Sequence, residues 1–168
     1  MNYFSLFDIA PSYELDLTAL EQAYFIKQQQ YHPDRLVGKS DEERSKAIQL
    51  SMDINQGYHA LKDAILRAQH LLVLQGVYVN TERDNIKPSP MLLMEMMEWR
   101  EEIEGSTFDM LAEHQQKAET MKSETIDALS QQFANQQWQE AAQSTLKLQY
   151  LSKVMDDIKL HRKHKGAA

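Results

Sequence analysis

Apolar residues recur along most of this chain at helical rather than strand spacing. Leu17, Leu20, Tyr24 and Tyr31 mark one face of a helix that Asp16 or Thr18 can cap, with Glu21 placed to complete a capping box on Thr18. Pro33 stops that helix, and residues 34–39, which contain Gly38, read as a loop. Ser40 and Glu43 form a second capping-box signature. The helix behind it should reach about Lys62, with Ile48, Met52, Tyr58 and Leu61 facing inward. Gly57 inside it costs about 1 kcal/mol relative to Ala, a cost that a close helix contact would explain. A further apolar stretch over 65–74 ends at Gly76 in the manner of a helix C-cap. With a short turn at 3–7, these elements predict one compact unit, residues 1–76.

Residues 77–90 hold Asn80, Thr81, Asp84, Asn85 and the Pro88-Ser89-Pro90 cluster, and read as a connector. Helical patterns follow over 91–104, 108–133 and 138–161, which predicts a three-helix bundle within 91–168. In the first of these, Leu92, Met96, Trp99 and Ile103 fall on one stripe suited to a core. Leu93, Met94 and Met97 centre roughly 140° away, beside Glu98 and Glu101. In the last, Leu148, Leu151, Met155 and Ile158 form the main stripe, and Leu146, Tyr150 and Val154 gather on nearly the opposite side. Periodicity alone leaves open whether both sides of each helix are buried.

Composition agrees with an all-α class. The 168 residues include only five glycines and four prolines, whereas Leu, Gln, Glu, Ala and Met are plentiful. Hydrophobic residues at 42% and charged ones at 26% place the chain among globular proteins, long enough for two small domains. A net charge of −7 argues against a general nucleic-acid binder, which needs a basic face. Without cysteine there is no disulfide or thiolate site. The opening residues lack a signal-peptide pattern, and no stretch approaches the 18 or so apolar residues of a membrane span. A cytoplasmic protein away from the membrane is expected.

Candidate chemistry centres on His32-Pro33-Asp34. The tripeptide arises by chance in a chain of this length at roughly the one per cent level, so its setting matters more than its presence. Pro33 can simply end a helix while His32 and Asp34 cap its end or its successor. Here, however, the tripeptide lies between two long helices, at the polar tip of an antiparallel hairpin. Asn2-Tyr3-Phe4-Ser5-Leu6-Phe7 before it, and Ile54-Asn55-Gln56-Gly57-Tyr58 with Leu61 after it, complete a pattern that resembles the J-domain. That resemblance implies docking of His32, Pro33 and Asp34 on the ATPase domain of a DnaK-class chaperone, with Lys27 and Arg35 as the nearby basic groups. A carboxylate at Asp34 and a ring donor at His32 suit a charge-assisted network with an arginine of the partner. J-domains usually carry more basic residues on the second helix, where Phe25, Ile26 and Gln28 to Gln30 stand here, which implies weak electrostatic steering.

The second half is similar to the HscB family. Arg67-Ala68-Gln69-His70-Leu71-Leu72 with Leu74 and Gly76, then Leu93-Met94-Glu95-Met96-Met97-Glu98-Trp99-Arg100-Glu101-Glu102, extend the resemblance over nearly the whole chain. It implies an L-shaped J-domain and three-helix bundle that brings the iron-sulfur scaffold IscU to the chaperone HscA. Residue by residue, it implies a scaffold-binding patch of Leu93, Met94, Met97, Glu98, Arg100 and Glu101, with Tyr150 from the last helix. Met97 and Tyr150 stand where the bacterial family commonly has leucine and phenylalanine, and Ala64 and His70 replace the more usual proline and tyrosine.

Other chemistry finds less support. His161 and His164 share chelating spacing but sit in a basic tail with no third ligand in reach, which reads as solvated tail and no metal. Glu98, Glu101, Glu102 and Glu104 read as a solvated helix face rather than as acid-base pairs. No phosphate loop, nucleophile elbow or metalloprotease motif is present, and no cofactor is implied. A non-enzymatic co-chaperone is expected. The rival readings are a small helical enzyme using His32 and Asp34, and a J-protein with a different client.

Overall fold

The computed structural model describes residues 1–79 and 86–166, the side chains of Pro33 and Leu36 excepted, so that 80–85 of the expected connector lie outside the described residues. Every regular element among the described residues is helical, and the chain divides into two compact units, Met1–Leu74 and Gln75–Ala168.

The first unit is built on an antiparallel hairpin of α2 (Leu17–Gln30) and α3 (Asp41–Lys62), with α1 (Tyr3–Leu6) before it and α4 (Ala64–Leu74) after it. Asp16 caps α2, its Oδ1 accepting from the amides of Thr18 and Ala19 at 2.9 and 3.0 Å. The expected Thr18–Glu21 box does not form, because Asp16 already satisfies those amides. Glu21 instead accepts from the Tyr58 hydroxyl at 3.3 Å. The Ser40–Glu43 box does form, and the hydrogen bonds from Ser40 hold the Glu43 carboxyl below the usual range.

Two contacts bind the long helices together. The rings of Tyr24 and Tyr58 stack 4.0 Å apart, and Asn55 Oδ1 accepts from Tyr24 Oη at 2.9 Å and Gln28 Nε2 at 2.7 Å. α1 then lies directly on Gly57, where a Cβ would stand 3.1 Å from Leu6 Cδ1 and 3.3 Å from Tyr3 Cδ1. The close contact expected there is therefore real. Ile48 and Met52, expected to face inward, are 51% and 60% exposed. α1 packs on α3 around Gly57 and α4 departs from its far end, so the first half of α3 meets only α2 and the short 3-10 turn Pro33–Leu36, which leave one side of it open. Leu17 is exposed for a similar reason at the open start of α2.

The corner after α3 is held by Arg67, which is buried and donates from Nη1 to the Leu61 carbonyl at 2.6 Å. Its guanidinium lies 5.0 Å from the centroid of the Tyr13 ring. Burial pushes the Arg67 pKa down, with Tyr13 and Asp63 opposing, and pushes the Tyr13 hydroxyl up. At the other end Tyr3 donates its amide to His70 Nε2 at 3.0 Å and stacks on that ring at 4.4 Å, tying α1 to α4. Gly76, at φ +74°, takes the left-handed conformation that ends a helix at least cost in glycine.

The second unit contains α5 (Pro90–Gly105), α6 (Phe108–Ala134) and α7 (Trp138–Gly166). Ser89 caps α5 through a 3.2 Å bond to the Leu92 amide, with Pro90 in the first turn. Leu92, Met96, Trp99 and Ile103 are buried, as their spacing predicts, with Leu111, Ala118 and Leu129 of α6 and Leu148, Leu151 and Ile158 of α7. α7 packs against α6 along much of its length and also against α5. Leu146 and Val154 are consequently buried too. The second apolar face expected on this helix is thus core at Leu146 and Val154, because the shared element is covered from two sides, whereas Tyr150 on that face is half-buried. α7 also runs past His161 to Gly166, where Lys163, His164 and Lys165 are exposed as expected of a solvated end, although Lys165 donates to the Ser106 carbonyl and the Arg162 guanidinium lies 5.4 Å from the Phe108 ring centroid. Cations in a last turn are favoured by the helix dipole.

Candidate functional site

At the tip of the α2–α3 hairpin, Tyr31 closes α2 and Pro33–Leu36 form one 3-10 turn. His32 caps that turn, its Nδ1 accepting from the Asp34 amide at 3.3 Å. This bond leaves the ring proton on Nε2, so the imidazole presents a donor at the surface. His32 Nδ1 also stands 3.5 Å from Asp34 Oδ2, close enough to become an ion pair when the ring is protonated. Asp34 and Arg35 are both exposed. The tip therefore carries an outward donor, a solvated carboxylate and a guanidinium within four residues, on a turn braced by hydrogen bonds rather than a free loop.

These side chains border a groove of roughly 520 Å³ lined by Phe25, Gln28, Gln29, His32, Asp34, Arg35 and Ser51. Phe25, Gln28, Gln29 and Ser51 were not singled out as site residues from sequence. A signal for three of them was present, since Phe25, Gln28 and Gln29 precede His32 by seven, four and three residues, the spacing of one helix face. Ser51 arrives from α3 and has no such signal. Lys27 does not join the groove. Its ammonium is paired with Asp8 Oδ2 at 2.9 Å and tethers α2 to the segment after α1, leaving Arg35 as the cation lining the groove.

In the second unit, the outward side of α5 exposes Met94 and Met97 at 62% and 63%, with Leu93 half-buried. Glu98, Arg100 and Glu101 are exposed around them. Arg100 Nε pairs with Asp157 Oδ2 of α7 at 3.0 Å. Tyr150 is half-buried on α7, with Lys153 Nζ 5.5 Å from its ring centroid. An exposed methionine pair rimmed by acids is an adaptable apolar contact surface with its own charge pattern. Among the described residues no group of three or more histidine or acidic side chains is placed to hold a metal ion, and no helix is long and apolar enough to cross a membrane.

Comparison with known proteins places these features. Residues 88–159 match the family described as the HSCB C-terminal oligomerisation domain. The co-chaperone protein HscB homolog of Vibrio cholerae is 35% identical over 163 residues, covering 94% of this chain and 95% of its own. The co-chaperone protein HscB of Proteus mirabilis is also 35% identical, with 94% of each chain covered. Among solved structures, chaperone HscB from Vibrio cholerae superposes with a TM-score of 0.85 at 32% identity, covering 98% of this chain and 99% of that one. Human co-chaperone protein HscB gives the same TM-score at 27% identity, over 95% of this chain and 81% of its own. An all-helical chain with an exposed His-Pro-Asp turn and relatives of this identity over nearly its full length belongs to the HscB family of J-protein co-chaperones.

Proposed function

We propose that this protein delivers the iron-sulfur scaffold IscU to the DnaK-class chaperone HscA in the cytoplasm and stimulates that chaperone's ATPase. In this reading residues 1–76 are the J-domain, 77–90 a connector and 91–168 the bundle that binds the scaffold. The observation that carries it is the hairpin tip. His32 Nε2–H and the Asp34 carboxylate face outward from a turn fixed by the His32–Asp34 bond, and the Tyr24–Tyr58 stack and the Asn55 hydrogen bonds brace the helices behind it.

A preformed tip loses little conformational entropy on docking. Asp34 would accept a charge-assisted bond from an arginine of the ATPase domain, and His32 would donate beside it. Stimulation follows if these bonds form better with the hydrolysis-competent state of the chaperone, because a ligand shifts an equilibrium only by its differential affinity. The protein itself performs no covalent chemistry. The Met94–Met97 stripe, with Leu93, Glu98, Arg100, Glu101 and Tyr150, supplies the scaffold contact, and holding both partners on one chain raises the local concentration of client at the chaperone.

Single-turnover ATP hydrolysis by HscA, with this protein and with or without IscU, tests the reading. Stimulation should be synergistic with IscU and should vanish in Asp34→Asn while the circular dichroism spectrum is unchanged. Stimulation indifferent to IscU would leave a J-protein for another client, and its survival in Asp34→Asn would remove the hairpin tip from the mechanism.

A further inference from the structure

The corner between α5 and α6 holds a hydrogen-bond relay that none of the proposed contacts uses. Trp99, buried on the inner side of α5, donates from Nε1 to His114 Nδ1 of α6 at 2.9 Å. The other ring nitrogen, Nε2, lies 3.0 Å from Ser106 Oγ. Ser106 is buried, and its hydroxyl donates to the Glu102 carbonyl at 2.7 Å. Its own carbonyl receives the ammonium of Lys165 from the end of α7.

Donor and acceptor accounting allows this relay one protonation state. An indole nitrogen only donates, so His114 Nδ1 must be unprotonated. The single Ser106 hydroxyl proton is committed to Glu102, so Oγ must accept, and Nε2 must carry the hydrogen. Both ends require the neutral Nε2–H imidazole. Protonation would set an N–H against the Trp99 N–H and leave a buried indole donor without a partner.

The charged groups around the ring sharpen the point. Lys117, one turn along α6, places its ammonium 4.5 Å from the Trp99 ring centroid, and Lys165 comes from α7. Arg162 of α7 sits on the nearby Phe108 ring. The acids near the relay in sequence, Glu98, Glu101, Glu102 and Glu104 of α5 and Asp109, Glu113 and Glu119 of α6, are all exposed, and Glu102 meets Ser106 only through its backbone carbonyl. An imidazolium would add another cation to a corner where lysines already approach from two helices.

We propose that His114 is a proton-sensitive positioning residue for α5, holding Trp99 and with it the outward Met94–Met97 stripe only while its ring is neutral. Trp99 lies five residues after Met94 and two after Met97 on the same helix, so its seating sets the rotation at which that stripe is presented. Acidification releases the indole and weakens the client contact. The inference rests on the proposed scaffold-binding role of α5, and its test separates the two.

The indole N–H resonances of Trp99 and Trp138 would be followed by NMR between about pH 8 and pH 5, the range in which imidazole changes charge, with cluster-free IscU affinity measured at both ends. The Trp99 signal should shift and affinity should fall, by roughly tenfold if one buried hydrogen bond is lost. His114→Asn keeps an acceptor near the Nδ1 position but cannot protonate. It should hold Trp99 in the neutral-pH state throughout and flatten the affinity profile, a result a merely structural histidine would not produce. A Trp99 signal insensitive to pH overturns the proton sensitivity, and one that titrates unchanged in His114→Asn removes His114 from it. A responsive indole with a pH-independent affinity overturns the positioning role. A responsive indole with no IscU binding at either pH overturns the client reading, and the positioning role with it.

Discussion

Arg100 reaches from α5 to α7 and places its Nε 3.0 Å from Asp157 Oδ2. The pair is partly exposed, so solvent screening keeps its contribution to stability small, at most about 1 kcal/mol. Its consequence is geometric: the guanidinium is held toward α7 rather than swinging free. Asp157→Asn should therefore change the unfolding free energy by less than about 1 kcal/mol while weakening IscU binding in calorimetry. In a double-mutant cycle with Arg100→Met, full additivity for binding would show that the two residues act independently.

Arg67 carries more of the stability of the first unit. It is buried, bonded to the Leu61 carbonyl and placed over the Tyr13 ring. Truncation strands that carbonyl and removes the aliphatic stem from the core. Arg67→Ala should cost about 2–4 kcal/mol in urea unfolding. Lys should rescue poorly, because an ammonium cannot reproduce the guanidinium's fork of donors while lying over the Tyr13 ring.

Gly57 tests the seat of α1. An added methyl gains about 1 kcal/mol of helix propensity but meets Leu6 at 3.1 Å and Tyr3 at 3.3 Å. Gly57→Ala should be close to neutral, because the ends of those side chains can give way. Gly57→Val, with two further carbons, should destabilise by about 1–3 kcal/mol and broaden the amide resonances of α1. Equal stability of the two variants would mean that α1 yields freely.

His70 sets a pH dependence whose sign can be worked out. Burial holds its imidazole below the ordinary range, and the N-terminal ammonium adds to the effect. The unfolded chain therefore binds the proton more readily than the folded one. The stabilising contribution is whole above the ordinary imidazole pKa of about 6.5 and is lost as pH falls through the lower folded-state value. Tm should drop on going from about pH 7.5 to about pH 5, and His70→Gln should reduce that drop. A variant with the wild-type pH slope would place the sensitivity elsewhere.

Local chemistry was legible in the sequence. The Ser40–Glu43 box, the helix beginning at the Pro88-Ser89-Pro90 cluster, Gly76 after α4 and the Leu92–Met96–Trp99–Ile103 stripe all form. Each depends on groups within about one turn to three turns of one helix, where spacing fixes geometry. The His-Pro-Asp turn was legible for the same reason, since a proline between two capped helices leaves few places for its neighbours to go.

What tertiary structure alone decided is how many sides of each helix are covered, and which distant groups meet. Ile48 and Met52 have the spacing of core residues but lie on a side of α3 that neither α2 nor the 3-10 turn covers. Leu146 and Val154 have the spacing of a second face but belong to the one helix that both neighbours share. Lys27 reads as a free cation until Asp8 is found beside it, Ser51 enters the tip groove only through the pairing of α2 with α3, and His114 becomes a bridge only because Trp99 and Ser106 converge on its two nitrogens. Periodicity records which residues share a face; burial and pairing depend on what is packed against that face, and that is set by residues far away in the chain.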